Sequence, residues 1–245
     1  YIHMKKGLAN IYGSPGTRVR FTGLLKMFFP LILIIFLLGL LIGNLTGKFM
    51  PPQMYAIVML ILVVFGWLMY DVAAKSFGAF LKGARGEEIV ARELSLLSSD
   101  WHVFHGIPTN GIKGTLGGTD FDHIIVGPAG VIIVETKNWT GRVSVEAGSI
   151  NLNGVPPSRS PLEQIRKEAA LFCKILDKNI ERSTQFKMII AFASDSLEEE
   201  ATMIDDVTVC NARKLQEVIS SLPKDENVSK EKQLLLIEHL ANLCE

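Results

Sequence analysis

The sequence predicts an α/β protein with a small mixed β-sheet flanked by helices, preceded by a two-helix transmembrane hairpin. Two observations predict it. Two apolar intervals without any charged residue, 27–47 and 49–70, occupy the first third of the chain. The rest alternates helix-like and strand-like patterns: a helix, three strands, a helix, a strand, and then a further strand and helices. Such an order places helices against the faces of one sheet.

The two charge-free intervals are each long enough to cross ~30 Å of hydrocarbon as a helix. We expect spans at about 27–45 and 53–70, joined by the short turn NLTGKFMPPQ. Trp67 and Tyr70 stand near the end of the second, where amphipathic rings favour the interface. A signal peptide is the alternative interpretation of the first interval. No small-residue cleavage site follows that interval, and a second apolar interval does.

Basic residues set the expected orientation. Residues 1–48 carry six Lys or Arg and no acidic residue, and further basic residues follow the second interval. Positive flanks remain on the inner side of a membrane. The sequence therefore predicts a basic cytoplasmic N-terminus over 1–26, two spans in the lipid bilayer, and a cytoplasmic domain over 83–245.

Composition excludes several kinds of site. The 25 basic and 25 acidic residues give no net charge, so a nucleic-acid partner would have to meet a local basic patch. Cys173, Cys210 and Cys244 lack the spacing of metal ligands, and no His/Cys cluster predicts zinc. The loop GIKGTLGG lacks the Gly-Lys-Ser/Thr ending of a P-loop, so we expect no nucleotide cofactor.

The domain elements follow from local patterns. GARGEEIVARELSLLSS, at 83–99, is typical of a helix because its apolar residues recur at helical spacing. WHVFHGIP predicts a strand, and two apolar runs around Gly-Pro-Ala-Gly predict a hairpin. Ser160 as N-cap and Pro161 at the first helical position begin a long helix. The domain core is expected over about 83–195, with a strand and helices over 196–245.

Acidic residues stand at the open end of the predicted hairpin. Strand side chains alternate between faces, so Glu135 and Lys137 share one face. With a two- or four-residue turn, Val126 opposes Val131, and Asp122 then opposes Glu135 with Cβ atoms ~5 Å apart. A three-residue turn with a bulge would instead move Asp122 to the other face.

Two carboxylates at this distance repel each other unless a cation lies between them. Hard oxygen ligands suit Mg²⁺ or Mn²⁺, which would polarise a phosphoryl oxygen and acidify a bound water. A lysine beside them would hold the attacking water or stabilise developing charge. Asp122, Glu135 and Lys137 therefore form a candidate phosphodiester-cleaving site. The alternative is a hairpin whose polar ends simply reach solvent.

The stretch TDFDHIIVGPAGVIIVETKNWTG, at 119–141, closely resembles the core of the NERD (nuclease-related domain) family. That family is itself similar to the PD-(D/E)XK nuclease superfamily. GARGEEIVARELSLL resembles the family's opening helix, and SPLEQIRKEAALF resembles its Pro-Leu-x-Gln helix. The resemblance covers about residues 83–195. It implies a restriction-endonuclease-like core and metal-dependent nuclease activity.

The resemblance assigns roles residue by residue. Asp122 matches the metal-binding aspartate, and Glu135 and Lys137 match the E-x-K pair. Glu87 matches the helix glutamate that completes a metal site in related nucleases, and its spacing puts it on the apolar face of its helix. Gln164 matches a glutamine that reaches the active site. The expected catalytic set is these five residues, with Mg²⁺ or Mn²⁺ on Asp122, Glu135 and Glu87.

Two neighbours of these residues receive other interpretations. Glu88 points sideways from its helix and is the alternative to Glu87. His123 lies one step off the Asp122 face, so it should point away from the metal and have a structural role.

Candidate nucleic-acid contacts lie on the second helix and just after the E-x-K pair. Lys167, Lys174 and Lys178 share a helical stripe with Gln164, which is either a solvated face or a ridge that follows phosphates. Trp139 either stacks on a base or packs against the next strand. The sequence thus predicts a membrane-anchored, metal-dependent nuclease acting on DNA or RNA. The alternative function is a non-catalytic nucleic-acid-binding or partner-docking module on the same fold.

Overall fold

The computed structural model describes residues 7–16, 28, 32–39, 42–43, 51–109, 120–176, 186–225 and 229–244. The chain divides into two compact units. One, which we call the sheet domain, consists of Tyr1–Gly16 and Arg85–Glu245, and the other consists of Thr17–Ala84. Of the predicted site residues, Lys178 lies outside the described part of the chain.

The described residues include nine strands and four α-helices. The strands are β1 (Asn10–Tyr12), β2 (His102–Pro108), β3 (Asp120–Gly127), β4 (Gly130–Lys137), β5 (Val143–Glu146), β6 (Ser149–Leu152), β7 (Phe186–Phe192), β8 (Ala201–Ile204) and β9 (Val207–Asn211). The helices are α1 (Pro52–Leu94), α2 (Pro161–Ile175), α3 (Leu215–Ser221) and α4 (Lys230–Leu243).

Seven of the described strands form one mixed sheet in the order β1-β2-β3-β4-β7-β9-β8, and β5 and β6 form a separate hairpin. β4 pairs antiparallel with β3 and parallel with β7. The sheet separates two apolar layers. Val131 and Ile133 of β4 join the layer that contains Ile165 of α2, whereas Ile132 joins the layer that contains Leu94 of α1. The predicted α/β architecture of a mixed sheet with helices is therefore present.

The β3–β4 hairpin has the register that the sequence predicts. Val126 pairs with Val131 and Gly127 with Gly130, which leaves a two-residue turn. Gly130 has a φ of +86°, a value that glycine adopts without strain. The last pair of the ladder is His123 with Val134. Because the turn has an even number of residues, the same register continued to the open end of the hairpin places Asp122 opposite Glu135.

The N-terminal segment supplies an edge strand that the predicted domain bounds of 83–245 leave out. β1 runs parallel to β2, with Asn10 opposite His102 and Tyr12 opposite Phe104. Ala9 is buried, and its N–H donates to the Leu97 carbonyl at 2.8 Å. A three-residue strand whose partner lies about ninety positions away leaves no periodic signal in the sequence.

The predicted transmembrane hairpin is wrong. Within the first apolar interval the described residues, among them 32–39, are helical. The second predicted span, 53–70, lies inside α1, which continues past Asp71 into charged sequence. No helix among the described residues is both long enough and apolar enough to cross a bilayer.

The multi-pass membrane location built on that hairpin is wrong with it, and the lipid bilayer is not supported as a partner. The physical reason is that the absence of charged residues describes an interval of the sequence and not the helix that contains it. α1 extends beyond the second interval to Leu94 and includes charged residues from Asp71 onward.

Candidate active site

The five residues of the predicted catalytic set come from four elements of the sheet domain. Asp122 is on β3, Glu135 and Lys137 are on β4, Gln164 is in the first turn of α2, and Glu87 is near the end of α1. Direct hydrogen bonds join three of them, and electrostatic repulsion links the other two to Glu135.

Glu135, Lys137 and Gln164 form a closed hydrogen-bonded ring. The Lys137 ammonium donates to Glu135 Oε1 and, over 2.8 Å, to Gln164 Oε1. The Gln164 amide nitrogen donates to Glu135 Oε1 at 2.6 Å. Glu135 is only 3% exposed. Since the amide oxygen faces the ammonium and the amide nitrogen faces the carboxylate, the orientation of Gln164 is fixed by charge.

Asp122 is held where the β3–β4 ladder ends. Its Oδ2 accepts a 2.8 Å hydrogen bond from the Thr136 backbone N–H. Burial raises the pKa of Asp122 well above its ordinary value, and repulsion from Glu135 and Glu87 raises it further. The Thr136 N–H acts in the opposite direction but does not offset these effects. Asp122 therefore lies within the electrostatic field of both other predicted metal ligands.

Glu87 is buried, whereas its neighbour Glu88 is partly exposed. The Glu87 Oε2 accepts a 2.9 Å hydrogen bond from the backbone N–H of Gly16. The pKa of Glu87 is raised to about 7. Burial is the largest cause, the hydrogen bond from the Gly16 N–H acts in the opposite direction, and repulsion from Glu135 adds to the rise. Gly86 permits this placement, because a Cβ there would lie 2.7 Å from the Asn138 Cβ at the end of β4.

Glu168 belongs to the site, although the sequence interpretation missed it. Its Oε1 accepts a 2.9 Å hydrogen bond from the Gln164 amide. Its Oε2 is buried and has no hydrogen-bond partner among the described residues. Burial raises the pKa of Glu168 to about 8, and repulsion from Glu135 acts in the same direction. The available signal was spacing, since Glu168 follows Gln164 by one helical turn on the same face.

The donor chemistry of the site fits a hard divalent cation. Asp122, Glu135, Glu87 and Glu168 supply carboxylate oxygens, the ligands that Mg²⁺ and Mn²⁺ prefer. The buried, unpartnered Oε2 of Glu168 is a further acceptor in the same place. In the described part of the chain, however, no group of three or more His, Cys, Asp or Glu side chains is arranged to hold a metal ion. The side chains therefore have the donor atoms that such a cation prefers, but they are not arranged as a coordination sphere.

His123 lies on the opposite face of β3 from Asp122, as the alternation of the strand predicts. It is fully buried, and its Nδ1 lies 2.7 Å from Nδ1 of His105. Its Nε2 lies 3.1 Å from the Thr136 hydroxyl. Burial lowers the pKa of His123 well below its ordinary value and that of His105 to about 4, so both rings are neutral at pH 7. They bridge β2, β3 and β4 behind the carboxylates.

The predicted nucleic-acid contacts lie mostly on the solvent side of α2. The Lys167 side chain is 79% exposed and pairs with Glu163 at 3.4 Å. Lys174 is exposed as well. Trp139 packs edge-to-face on Phe192 with ring centroids 5.4 Å apart, the arrangement expected of its packing alternative.

Comparison with known proteins finds a family match over part of the chain. Residues 82–193 match the family model NERD, described as nuclease-related domain. An uncharacterized protein of Bacillus anthracis is 39% identical to this chain over 61 residues, which is 24% of this chain and 28% of that relative. The chain thus covers less than a third of the relative it matches. No solved structure matches the chain. The predicted family resemblance is confirmed.

Proposed function

Because residues 82–193 are a nuclease-related domain, we propose that this protein hydrolyses phosphodiester bonds of DNA or RNA with Mg²⁺ or Mn²⁺. The observation that carries the proposal is the ring of Glu135, Lys137 and Gln164, with the Asp122 carboxylate held beside it. A lysine only 16% exposed among carboxylates at the open end of a hairpin is an arrangement suited to phosphoryl chemistry.

Asp122, Glu135 and Glu87 are the residues that would hold the cation. When bound, the ion supplies Lewis acidity toward a phosphoryl oxygen and a water of lowered pKa. The raised pKa values of Asp122 and Glu87 support this assignment, because they come partly from mutual repulsion that a cation relieves.

Lys137 is the residue that acts on the reacting groups. Its ammonium is bound to Glu135 and Gln164 and is 16% exposed, so it has little freedom to leave the site. From this position it holds the attacking water or stabilises negative charge that develops on the phosphoryl oxygens. Gln164 orients the ammonium, and Glu168 holds the Gln164 amide from the other side.

Lys167 and Lys174 are proposed contacts to the nucleic-acid backbone. The Lys167–Glu163 pair is exposed on both sides, and such a pair contributes at most ~1 kcal/mol. A phosphate can therefore replace Glu163 as the partner of the ammonium. Because the chain carries no net charge, we expect few phosphate contacts and a shallow dependence of binding on salt.

The test is cleavage of end-labelled single- and double-stranded DNA and RNA by the full chain, in Mg²⁺, Mn²⁺ or EDTA. A Glu135→Ala/Lys137→Ala variant measures background activity. We expect metal-dependent cleavage of at least one substrate that the double variant lacks. Metal-independent binding without cleavage of any substrate would contradict the proposal and indicate a non-catalytic nucleic-acid-binding module.

A further inference from the structure

Residues 7–16, which we call the N-terminal strap, run along the edge of the sheet toward the carboxylates. The strap is anchored at its start, where the N–H groups of Ala9 and Asn10 donate to the carbonyls of Leu97 and Trp101 at 2.8 and 2.9 Å. In the middle, the Tyr12 ring stacks on Phe104 with centroids 4.5 Å apart. These contacts fix the direction in which the next residues leave β1.

Gly13 brings the strap into close contact with β2. A Cβ on Gly13 would lie 2.4 Å from the backbone carbonyl oxygen of His105, a distance that no side chain tolerates. Its φ of +74° also favours glycine. The strap can therefore lie this close to β2 only because residue 13 has no side chain.

Gly16 ends the strap at the candidate active site. Its backbone N–H donates to Glu87 Oε2 over 2.9 Å, in a buried hydrogen bond between residues 71 positions apart. A hydrogen bond from a backbone amide to a carboxylate is stronger than one between neutral groups. With Oε2 held by Gly16, the orientation of the Glu87 carboxylate depends on a residue from the other end of the domain sequence.

We propose that Gly16 is a positioning residue for Glu87, so that the N-terminal strap is part of the active site and not only an edge strand. This inference rests on the proposed function, in which Glu87 helps to hold the cation. The strap holds the Glu87 carboxylate in its orientation toward Asp122 and Glu135. If the strap detaches from β2, Glu87 remains in the chain but its carboxylate is no longer oriented by the Gly16 N–H. A purely structural edge strand would affect stability without acting through Glu87.

Two glycines allow a matched test in the full chain. Gly13→Ala places a methyl group against the His105 carbonyl, whereas Gly7→Ala, at φ +95°, has no atom within 4 Å of its new Cβ. Both substitutions impose alanine on a positive φ, and only the first displaces the strap. We expect Gly13→Ala to speed hydrogen exchange of the Gly16 amide about tenfold or more, and Gly7→Ala to leave it unchanged.

The metal readout is the dissociation constant for Mn²⁺, measured for the same variants by electron paramagnetic resonance. We expect Gly13→Ala to weaken binding several-fold, roughly as much as Glu87→Gln does. The double variant should be no weaker than Glu87→Gln alone, because the strap acts through Glu87. If Gly13→Ala weakened Mn²⁺ binding as much in the Glu87→Gln variant as it does in the wild type, the proposal would be overturned.

The proposed function and the strap fail in different ways. A wild-type chain that binds no Mn²⁺ overturns the metal-dependent nuclease. The positioning role is overturned separately if exchange of the Gly16 amide is the same in the wild type and in Glu87→Ala. Circular dichroism of every variant identifies any that does not fold, and Tyr12→Ala then replaces Gly13→Ala as the variant that weakens strap docking.

Discussion

The Asp122 carboxylate accepts a 2.8 Å hydrogen bond from the Thr136 backbone N–H, which lies beyond the last paired position of the β3–β4 ladder. A side-chain oxygen thus takes the place that a strand carbonyl would occupy. The sheet itself therefore aims this carboxylate toward Glu135, and its position does not depend on a mobile side chain. The proposed site is built on this end of the β3–β4 hairpin.

Lys137→Met is expected to abolish cleavage without abolishing binding. Methionine retains the aliphatic stem but not the ammonium that contacts Glu135 and Gln164. Loss of a group that acts on the reacting atoms lowers turnover by at least ~100-fold. Nucleic-acid affinity, measured by fluorescence anisotropy in EDTA, should change less than about threefold. Lys230→Met, at the exposed first residue of α4, is the matched control and should remain active.

Gln164→Ala is expected to reduce turnover about 10- to 100-fold, because it frees the Lys137 ammonium from its fixed direction. The substitution removes a donor to Glu135 and an acceptor for Lys137. Steady-state kinetics should place the effect in kcat more than in KM. Gln216→Ala removes another amide, which bonds to the Leu96 carbonyl outside the site, and full loss of activity in that control would contradict the assignment.

Without divalent metal, stability should fall as pH rises from about 6.5 to 8, above the range in which the lowered pKa values of the buried His105 and His123 act in the opposite direction. The pKa values of Glu87 and Glu168 are raised to about 7 and about 8, so the folded chain binds protons that the unfolded chain has released. Stability from such groups is complete below their unfolded pKa and is lost as pH passes the folded pKa. Thermal melts across this range should show the fall.

Glu168→Gln should flatten that pH profile, since it removes the buried carboxyl with the higher pKa. A difference of one between the folded and unfolded pKa values corresponds to about 1.4 kcal/mol of stability. Glu163→Gln, five positions earlier on the exposed side of α2, is the control and should keep the wild-type profile. A wild-type profile that rises with pH above about 6.5, the ordinary pKa of histidine, would mean that these carboxyls are not buried in the folded chain.

Binding of Mn²⁺ at pH 7 should release protons. Glu168 and Glu87 are partly protonated at this pH, and a bound cation favours their charged forms. Calorimetry in two buffers with different ionisation enthalpies measures the number released. The number should be close to zero at pH 9, where both groups are already ionised. Equal release at pH 7 and pH 9 would contradict this account.

Gly86→Ala should weaken Mn²⁺ binding, whereas Gly83→Ala should not. A Cβ at residue 86 meets the Asn138 Cβ at 2.7 Å and pushes the end of α1 away from β4, together with Glu87. A Cβ at residue 83 meets nothing within 4 Å. In the helix, Gly83→Ala should therefore add ~0.5–1 kcal/mol of stability. Chemical denaturation and metal titration together separate the two effects.

The sequence determines the hairpin register because its signals are local. The even turn and the alternation of β4 place Glu135 and Lys137 on one face whatever the rest of the fold does. Other parts of the site depend on contacts between distant segments. Nothing local predicts that Gly16 reaches Glu87 or that three residues around Ile11 form an edge strand.

The structure differs from the sequence prediction in two further places, at Glu168 and in the apolar intervals. Glu168 lies on the same helix face as Gln164, but its burial depends on how α2 meets the sheet, which spacing alone does not define. The apolar intervals carry a strong compositional signal for membrane spans. That signal concerns composition only, and the described helices do not meet the requirement for crossing a bilayer.

The most direct test of the account is cleavage and Mn²⁺ binding by Asp122→Asn in the full chain. Asparagine has the same shape, and its amide oxygen can still accept the Thr136 N–H, so the fold should remain intact while the negative charge is lost. Asp206→Asn, at an exposed pair with Arg166, is the control. We predict that Asp122→Asn loses both Mn²⁺ binding and at least ~100-fold of the cleavage rate, at unchanged or higher thermal stability. An Asp122→Asn chain that cleaves and binds metal as well as the wild type does would contradict the central claim.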